Sequence, residues 1–256
     1  MTDAAPAIVL DAVTVTLGGR RIWAEASFRI EPGEVVAVIG ANGSGKSTLL
    51  RLILGQIAPS AGRVAVLGSP PRRGNRSIGL VPQRRDLGAG VALRGRDLVV
   101  LGTNGHRWGF GKLKPDEAER VERALEAVGA TEFADEPVER LSGGQQQRLF
   151  IAQALCEGVA ILLLDEPLAS LDLRSQGEVV GVVADINRKR KVTTLVVTHD
   201  LNPLLPILHR VVYILDGRPR CGAVEAVVTP GTLSALYGTP VQVLQAAGGD
   251  RFVRVA

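Results

Sequence analysis

In the run Gly40-Ala41-Asn42-Gly43-Ser44-Gly45-Lys46-Ser47-Thr48, the first eight residues fit the pattern G-x-x-x-x-G-K-[ST]. Ahead of them stands Val35-Val36-Ala37-Val38-Ile39, apolar and largely β-branched. Such a run predicts a strand buried on both faces, as in a parallel sheet. A helix is predicted from about Lys46. Strand, glycine loop and helix in that order make a phosphate cradle. The glycines let the backbone curl until successive N–H groups point into one concavity. The helix adds the positive end of its dipole there. Lys46 supplies a cation for the β- and γ-phosphates, and the Ser47 hydroxyl is a ligand for Mg²⁺.

The rest of the chain has room for the α/β core that this loop demands. At 256 residues it can form one compact domain, or one with a small subdomain. Its 46% hydrophobic content excludes disorder as the main state. Basic residues exceed acidic ones by 30 to 26, giving +4. Ordinary surface charge accounts for that as well as nearby phosphates or lipid head groups do, and no nucleic-acid partner is expected. Cys156 and Cys221 lack metal-ligand spacing and read as structural thiols in a reducing compartment. The start, Met1 to Ala7, has no basic or long apolar segment, so no signal peptide is expected. Leu201 to Leu215 is cut by Pro203, Pro206, His209 and Arg210, and no run reaches the ~18 apolar residues of a membrane span. The chain is not expected to cross a membrane.

Periodicity predicts the remaining elements. Alternation over Ile8–Leu17 and Arg20–Ile30 around Gly18-Gly19 predicts an antiparallel hairpin. Strands are predicted at Val64–Leu67, Ile78–Val81, Ala160–Asp165, Thr193–Val197, Val211–Leu215, Val241–Leu244 and Phe252–Val255. Helices are predicted at Asp116–Val128, with Ala118, Val121, Leu125 and Val128 on one stripe, and at Gly144–Cys156, Asp172–Arg190 and Gly231–Tyr237. Gln83 to Arg96, rich in Arg and Gly, reads as a loop.

Two further segments carry chemistry. Leu164-Asp165-Glu166-Pro167 ends an apolar strand. A parallel strand delivers such residues to the edge where a phosphate loop opens. Asp165 can then hold Mg²⁺, and Glu166 can polarise a water for attack on the γ-phosphate. Leu141-Ser142-Gly143-Gly144-Gln145 makes Ser142 an N-cap opening a helix. Free N–H groups and a hydroxyl there can grip an anion.

With these three segments in this order, the chain resembles the ABC ATPase family, whose signature is the Leu141–Gln145 pentapeptide. The resemblance covers about Ile8 to Gly222. It implies an α/β fold with a P-loop NTPase core of mainly parallel sheet, an antiparallel β-subdomain and a helical subdomain at about 87–156. All lie in one domain, 1–256, with a C-terminal extension at about 223–256. ATP and Mg²⁺ are the implied cofactors. Gly40 to Thr48 (Gly40, Ala41, Asn42, Gly43, Ser44, Gly45, Lys46, Ser47 and Thr48) would bind ATP. Gln83 matches the family glutamine that contacts Mg²⁺ and senses the membrane partner, so Ser47, Gln83 and Asp165 form the implied metal set. Ser142, Gly143, Gly144 and Gln145 would bind the nucleotide of a second copy. Asp172, in Ser170-Leu171-Asp172, matches the loop that couples two sites. Glu166 and His199 are the implied catalytic residues, His199 as the contact to the γ-phosphate.

Two positions depart from the family pattern. Leu17 stands where an aromatic residue usually stacks on adenine, with Trp23 nearby read as core or surface. Gln153 stands where Arg is common. The stretches Pro82–Leu87, Arg96–Gly102 and Leu233–Val243 are similar to the Mn²⁺/Zn²⁺/Fe²⁺ importer branch. The ABC ATPase resemblance implies a homodimer working on integral membrane permease subunits at the cytoplasmic face of the membrane, and the importer likeness adds an extracytoplasmic solute-binding protein. An importer of another solute, such as an iron–siderophore, is the alternative. A soluble ABC ATPase acting on DNA or ribosomes is another, but the sequence holds no heptad tract and no second phosphate loop. Arg72, Arg73, Arg76, Arg84 and Arg85 form either a docking patch for a membrane partner or a solvated loop.

Overall fold

The alternation at the start of the chain closes into a hairpin of β1 (Ile8–Leu17) and β2 (Arg20–Ile30), with Leu17 paired to Arg20 across the turn. In chain order there follow β3 (Val35–Gly40), α1 (Lys46–Ile53), β4 (Ala61–Val66), β5 (Ile78–Val81), α2 (Gly95–Asn104), α3 (Pro115–Ala127), α4 (Gly143–Leu155), β6 (Ile161–Asp165), α5 (Leu173–Arg190) and β7 (Thr193–Val197). The last elements are β8 (Arg210–Leu215), β9 (Arg218–Ala223), α6 (Val224–Val227), α7 (Pro230–Tyr237), β10 (Val241–Gln245) and β11 (Arg251–Val255). This computed structural model describes residues 5–83, 93–104, 113–245 and 251–255. Arg84 and Arg85 of the basic cluster, and most of the stretch read as a loop before Arg96, lie outside the described residues.

The chain forms two compact units, Met1–Asn75 with Thr193–Ala256, and Arg76–Val192. In the first, β4 joins the hairpin in the order β2-β1-β4. A second set of strands runs β7-β3-β8-β9. β3 is parallel to both β7 and β8, and β9 returns antiparallel on β8. Every residue of β3 and β7 is buried, as their β-branched composition requires of strands covered on both faces. The helices and β10 near the chain's end share a core with this sheet, where Leu233, Leu236 and Val241 meet Ala37, Ile39 and Val211.

The second unit pairs β5 with β6 in parallel, Ile78 opposite Ile161 through Val81 opposite Leu164. The helices of the unit bring apolar faces together. On α3, Val121, Ala124 and Leu125 are buried, as is Val128 just beyond it, while Ala118 of the predicted stripe is only half-buried. Pro115 opens α3, as predicted for a first turn, and the backbone N–H of Lys114 donates to Glu117 at 2.9 Å.

Three elements are absent from the sequence prediction: α2, β9 and the four-residue α6. α2 was not predicted, because Gly95 and Gly102 lower its helix propensity. Packing overrides that weakness. A Cβ at Gly102 would lie 2.3 Å from the carbonyl oxygen of Gln153, so the glycine allows α2 to approach α4 closely. The sequence predicts no strand over β9. Pro219 is tolerated because β9 lies at the end of its strand order, and Asp216-Gly217 makes the two-residue turn from Leu215 to Arg218. Among the described residues no helix is long and apolar enough to cross a membrane.

Candidate nucleotide-binding site

The phosphate loop leaves the end of buried β3 and enters α1 at Lys46. Lys46 is 8% exposed. Its Nζ donates to the carbonyls of Gly40 at 2.8 Å and Ala41 at 3.2 Å, so the ammonium ties the loop's entry to its exit. The N–H of Ser44 donates to the Ala41 carbonyl at 3.1 Å. No side chain caps α1, and no acidic residue stands in its first turn. A helix start of that kind presents N–H groups and positive potential to an anion. Ser44 Oγ is buried and has no hydrogen-bond partner among the described residues, which also suits a loop built to close on an oxyanion. Asn42, Gly43 and Ser47 are exposed, while Thr48 is buried.

Gly45 shows why the last glycine is required. Its φ of 104° lies in the left-handed region, and a Cβ there would come within 2.3 Å of Trp23 Nε1. Trp23 is 1% exposed and packs beneath the loop, so it is a core residue. Sequence reasoning did not connect it to Gly45; the contact is non-local, and no local pattern carries it. Leu17 is half-buried at the end of β1, beside the Gly18 turn.

The parallel register of β3 and β7 brings His199 to the edge where the loop opens. Val38 pairs with Val197, and the Thr198 N–H donates to the Val38 carbonyl at 3.2 Å. Gly40 and His199 each follow two residues later. His199 is exposed and begins a tight turn. The Thr198 hydroxyl donates to the Asp200 carbonyl at 2.8 Å, and the Asn202 N–H donates to Asp200 Oδ1 at 2.9 Å.

The second unit holds the other predicted residues in two groups. In the first, Gln83 Nε2 donates to Glu166 Oε2 at 3.0 Å, with Asp165 next in the chain at the end of β6. Glu166 has φ of 49°, an uncommon conformation for a non-glycine residue. The parallel pairing of β5 and β6 brings Gln83 and Glu166 together, since each follows two residues after the paired Val81 and Leu164.

The second group joins the signature to the Asp172 loop. Ser142 caps α4: its Oγ accepts from the Gln145 N–H at 3.3 Å, and Gln145 Oε1 accepts from the Ser142 N–H at 2.9 Å. Asp172 caps α5, its two oxygens accepting from the N–H and the hydroxyl of Ser175, each at 2.9 Å. These bonds, the backbone one first, hold its carboxyl below the usual carboxylate range. Gly144 is packed on Ser175 and Gly143 lies beside Leu171, so the two helix starts form one surface.

The ABC transporter family model matches residues 24–169. The manganese transport system ATP-binding protein MntB of Bacillus subtilis (strain 168) is 32% identical, over 90% of this chain and 92% of that protein. The cobalamin import ATP-binding protein BtuD of Halobacterium salinarum (strain ATCC 29341 / DSM 671 / R1) is 36% identical, over 90% of this chain but 58% of that protein. A solved metal-chelate type ABC transporter, in an inward-facing conformation, is similar with a TM-score of 0.83 and 28% identity, over 98% of this chain and 97% of that one. The chain therefore belongs to the ABC transporter family, as one of its ATP-hydrolysing subunits.

Proposed function

We propose that this chain powers uptake of a first-row divalent metal ion, Mn²⁺, Zn²⁺ or Fe²⁺, through separate membrane permease subunits. The observation that carries the reading is the likeness, over 90% of the chain, to a manganese transport system ATP-binding protein. A zinc import ATP-binding relative, ZnuC of Halorhodospira halophila (strain DSM 244 / SL1), supports it at 32% identity over 91% of the chain. A homodimer of the chain would work at the cytoplasmic face of the membrane, with an extracytoplasmic solute-binding protein delivering the ion.

In this reading Lys46 and the amides of Gly40 to Thr48 hold the β- and γ-phosphates. Glu166 takes the proton of the attacking water, and His199 contacts the γ-phosphate. Ser142 to Gln145 and Asp172 act on the nucleotide of the second copy. Ser47, Asp165 and Gln83 fit Mg²⁺, because a hydroxyl, a carboxylate and an amide oxygen are hard ligands. Gln83 turns its nitrogen to Glu166, so its oxygen is the end that would meet a cation. Bound there, Mg²⁺ would neutralise charge on the β- and γ-oxygens.

A second reading is uptake of a chelated solute. It is favoured by the 36% identity to a cobalamin import protein and 32% to an iron(3+)-hydroxamate import protein. Deleting the gene and measuring cellular Mn, Zn and Fe, each scarce and supplied only as the free divalent ion, separates the two. A fall in one metal supports the first reading. Unchanged content of all three, with lost growth on chelated iron or cobalamin, supports the second.

A further inference from the structure

His199 lies two residues beyond Val197, which pairs with Val38 of β3, and one beyond Thr198, whose N–H donates to the Val38 carbonyl. The bonds among Thr198, Asp200 and Asn202 shape the turn locally but do not anchor it. Three contacts with the end of the chain add to the Thr198–Val38 bond in anchoring it. Tyr237 Oη, at the end of α7, donates to the His199 carbonyl at 3.3 Å. Leu201 is 2% exposed, in one core with Leu233, Leu236 and Val241. The Asn202 side chain pairs with the backbone of Val253 in both directions: Nδ2 donates to the carbonyl at 2.9 Å, and Oδ1 accepts from the N–H at 2.7 Å. That amide behaves like one residue of an additional strand laid on β11. A side chain that must meet a phosphate needs its backbone held to about 0.5 Å, and packing with hydrogen bonds supplies that.

We propose that the C-terminal extension positions His199, with Asn202 and Tyr237 as the positioning residues that fix the turn for contact with the γ-phosphate. The inference rests on the reading of His199 given above. It makes α7 and the β10–β11 hairpin part of the nucleotide response, so that anything drawing the hairpin away from Asn202 would blunt discrimination between ATP and ADP.

The test measures affinity of the full chain for ADP and for a non-hydrolysable ATP analogue. The variants are Tyr237→Phe, Asn202→Leu and His199→Ala, alone and in pairs. One hydrogen bond is worth about 0.5–1.5 kcal/mol, or roughly 2- to 12-fold. Tyr237→Phe should weaken the ATP analogue by about that factor and Asn202→Leu, which removes two bonds, by at least as much; both should leave ADP within about twofold. In the His199→Ala background either should add less than about twofold, since residues acting through one another are not additive. Equal weakening of ADP and analogue, or a full additional loss without His199, would overturn the positioning role. Tyr237→Phe removes only a hydroxyl, so it keeps the test alive if Asn202→Leu does not fold. If His199→Ala alone leaves the ratio of the two affinities unchanged, the role of His199 itself falls, a result distinct from failure of the positioning.

Discussion

Gln83 Nε2 and Glu166 Oε2 are 3.0 Å apart, joined by a hydrogen bond between residues 83 positions apart in the chain. The bond orients the carboxylate proposed to accept a proton from water, and it engages the nitrogen of the Gln83 amide, leaving the oxygen as the end proposed to meet Mg²⁺. A hydrogen bond to a charged group is worth about 1.5–3 kcal/mol, so Gln83→Leu should lower ATP turnover by roughly 10- to 100-fold. ATP binding should survive, because Lys46 and the loop amides are untouched. Steady-state kinetics beside a nucleotide titration reads both quantities. Turnover within twofold of wild type would show that Glu166 needs no such orientation.

Lys46 has a second task besides its charge. Its bonds to the Gly40 and Ala41 carbonyls make it a brace for the loop. Lys46→Ala should therefore abolish turnover and also speed amide hydrogen exchange across Gly40 to Gly45. The secondary structure seen by circular dichroism should persist, since β3 and α1 keep their own cores. Near-normal turnover in a folded variant would refute the assignment.

The two thiols predict an alkaline limit to stability. Burial pushes Cys156 up to about 12 and Cys221 to about 11. Cys156 also donates a weak bond to the Val99 carbonyl at 3.5 Å. A raised pKa stabilises the fold while the thiol stays neutral. That contribution is full below the ordinary thiol value near 9 and is lost as pH rises through 11 and 12. Urea unfolding midpoints should fall over this window, and the fall should shrink in Cys156→Ala. Neither thiol should react quickly with alkylating reagents at pH 8 until denaturant is added. Fast modification of native protein would contradict the buried, protonated state.

Much of the site was legible because its chemistry is local. The phosphate loop, the Asp165–Glu166 strand end and the Ser142 cap are each set by a few neighbouring residues, and flanking periodicity placed them on the right elements. The hidden parts are those that depend on distant residues. Gln83 meets Glu166 only through the pairing of β5 with β6. Trp23 constrains Gly45 only once the hairpin packs beneath the loop. Asp172 was read by family likeness, while its physical work as the cap of α5 depends on Ser175 three residues on. α2 and β9 were missed because Gly95, Gly102 and Pro219 argue against regular structure locally, whereas helix packing and an edge position decide otherwise. Leu17 remains where the sequence put it, at a hairpin end, with no aromatic ring to offer a base.

The central claim is that Glu166 drives hydrolysis at sites shared by two copies of the chain. Glu166→Gln keeps the shape and most hydrogen bonding but cannot act as a base. Base catalysis is worth roughly 10²–10⁴-fold, so hydrolysis should nearly stop while ATP still binds. The intact γ-phosphate should then hold Ser142, Gly143 and Gly144 of the opposite copy. Size-exclusion chromatography of this variant with ATP, with ADP and without nucleotide is the direct measurement. A dimer with ATP alone, persisting because the nucleotide is not cleaved, is the predicted result. A monomer under all three conditions at high concentration, despite confirmed ATP binding, would contradict the shared site. A variant that hydrolyses ATP at the wild-type rate would contradict the role of Glu166.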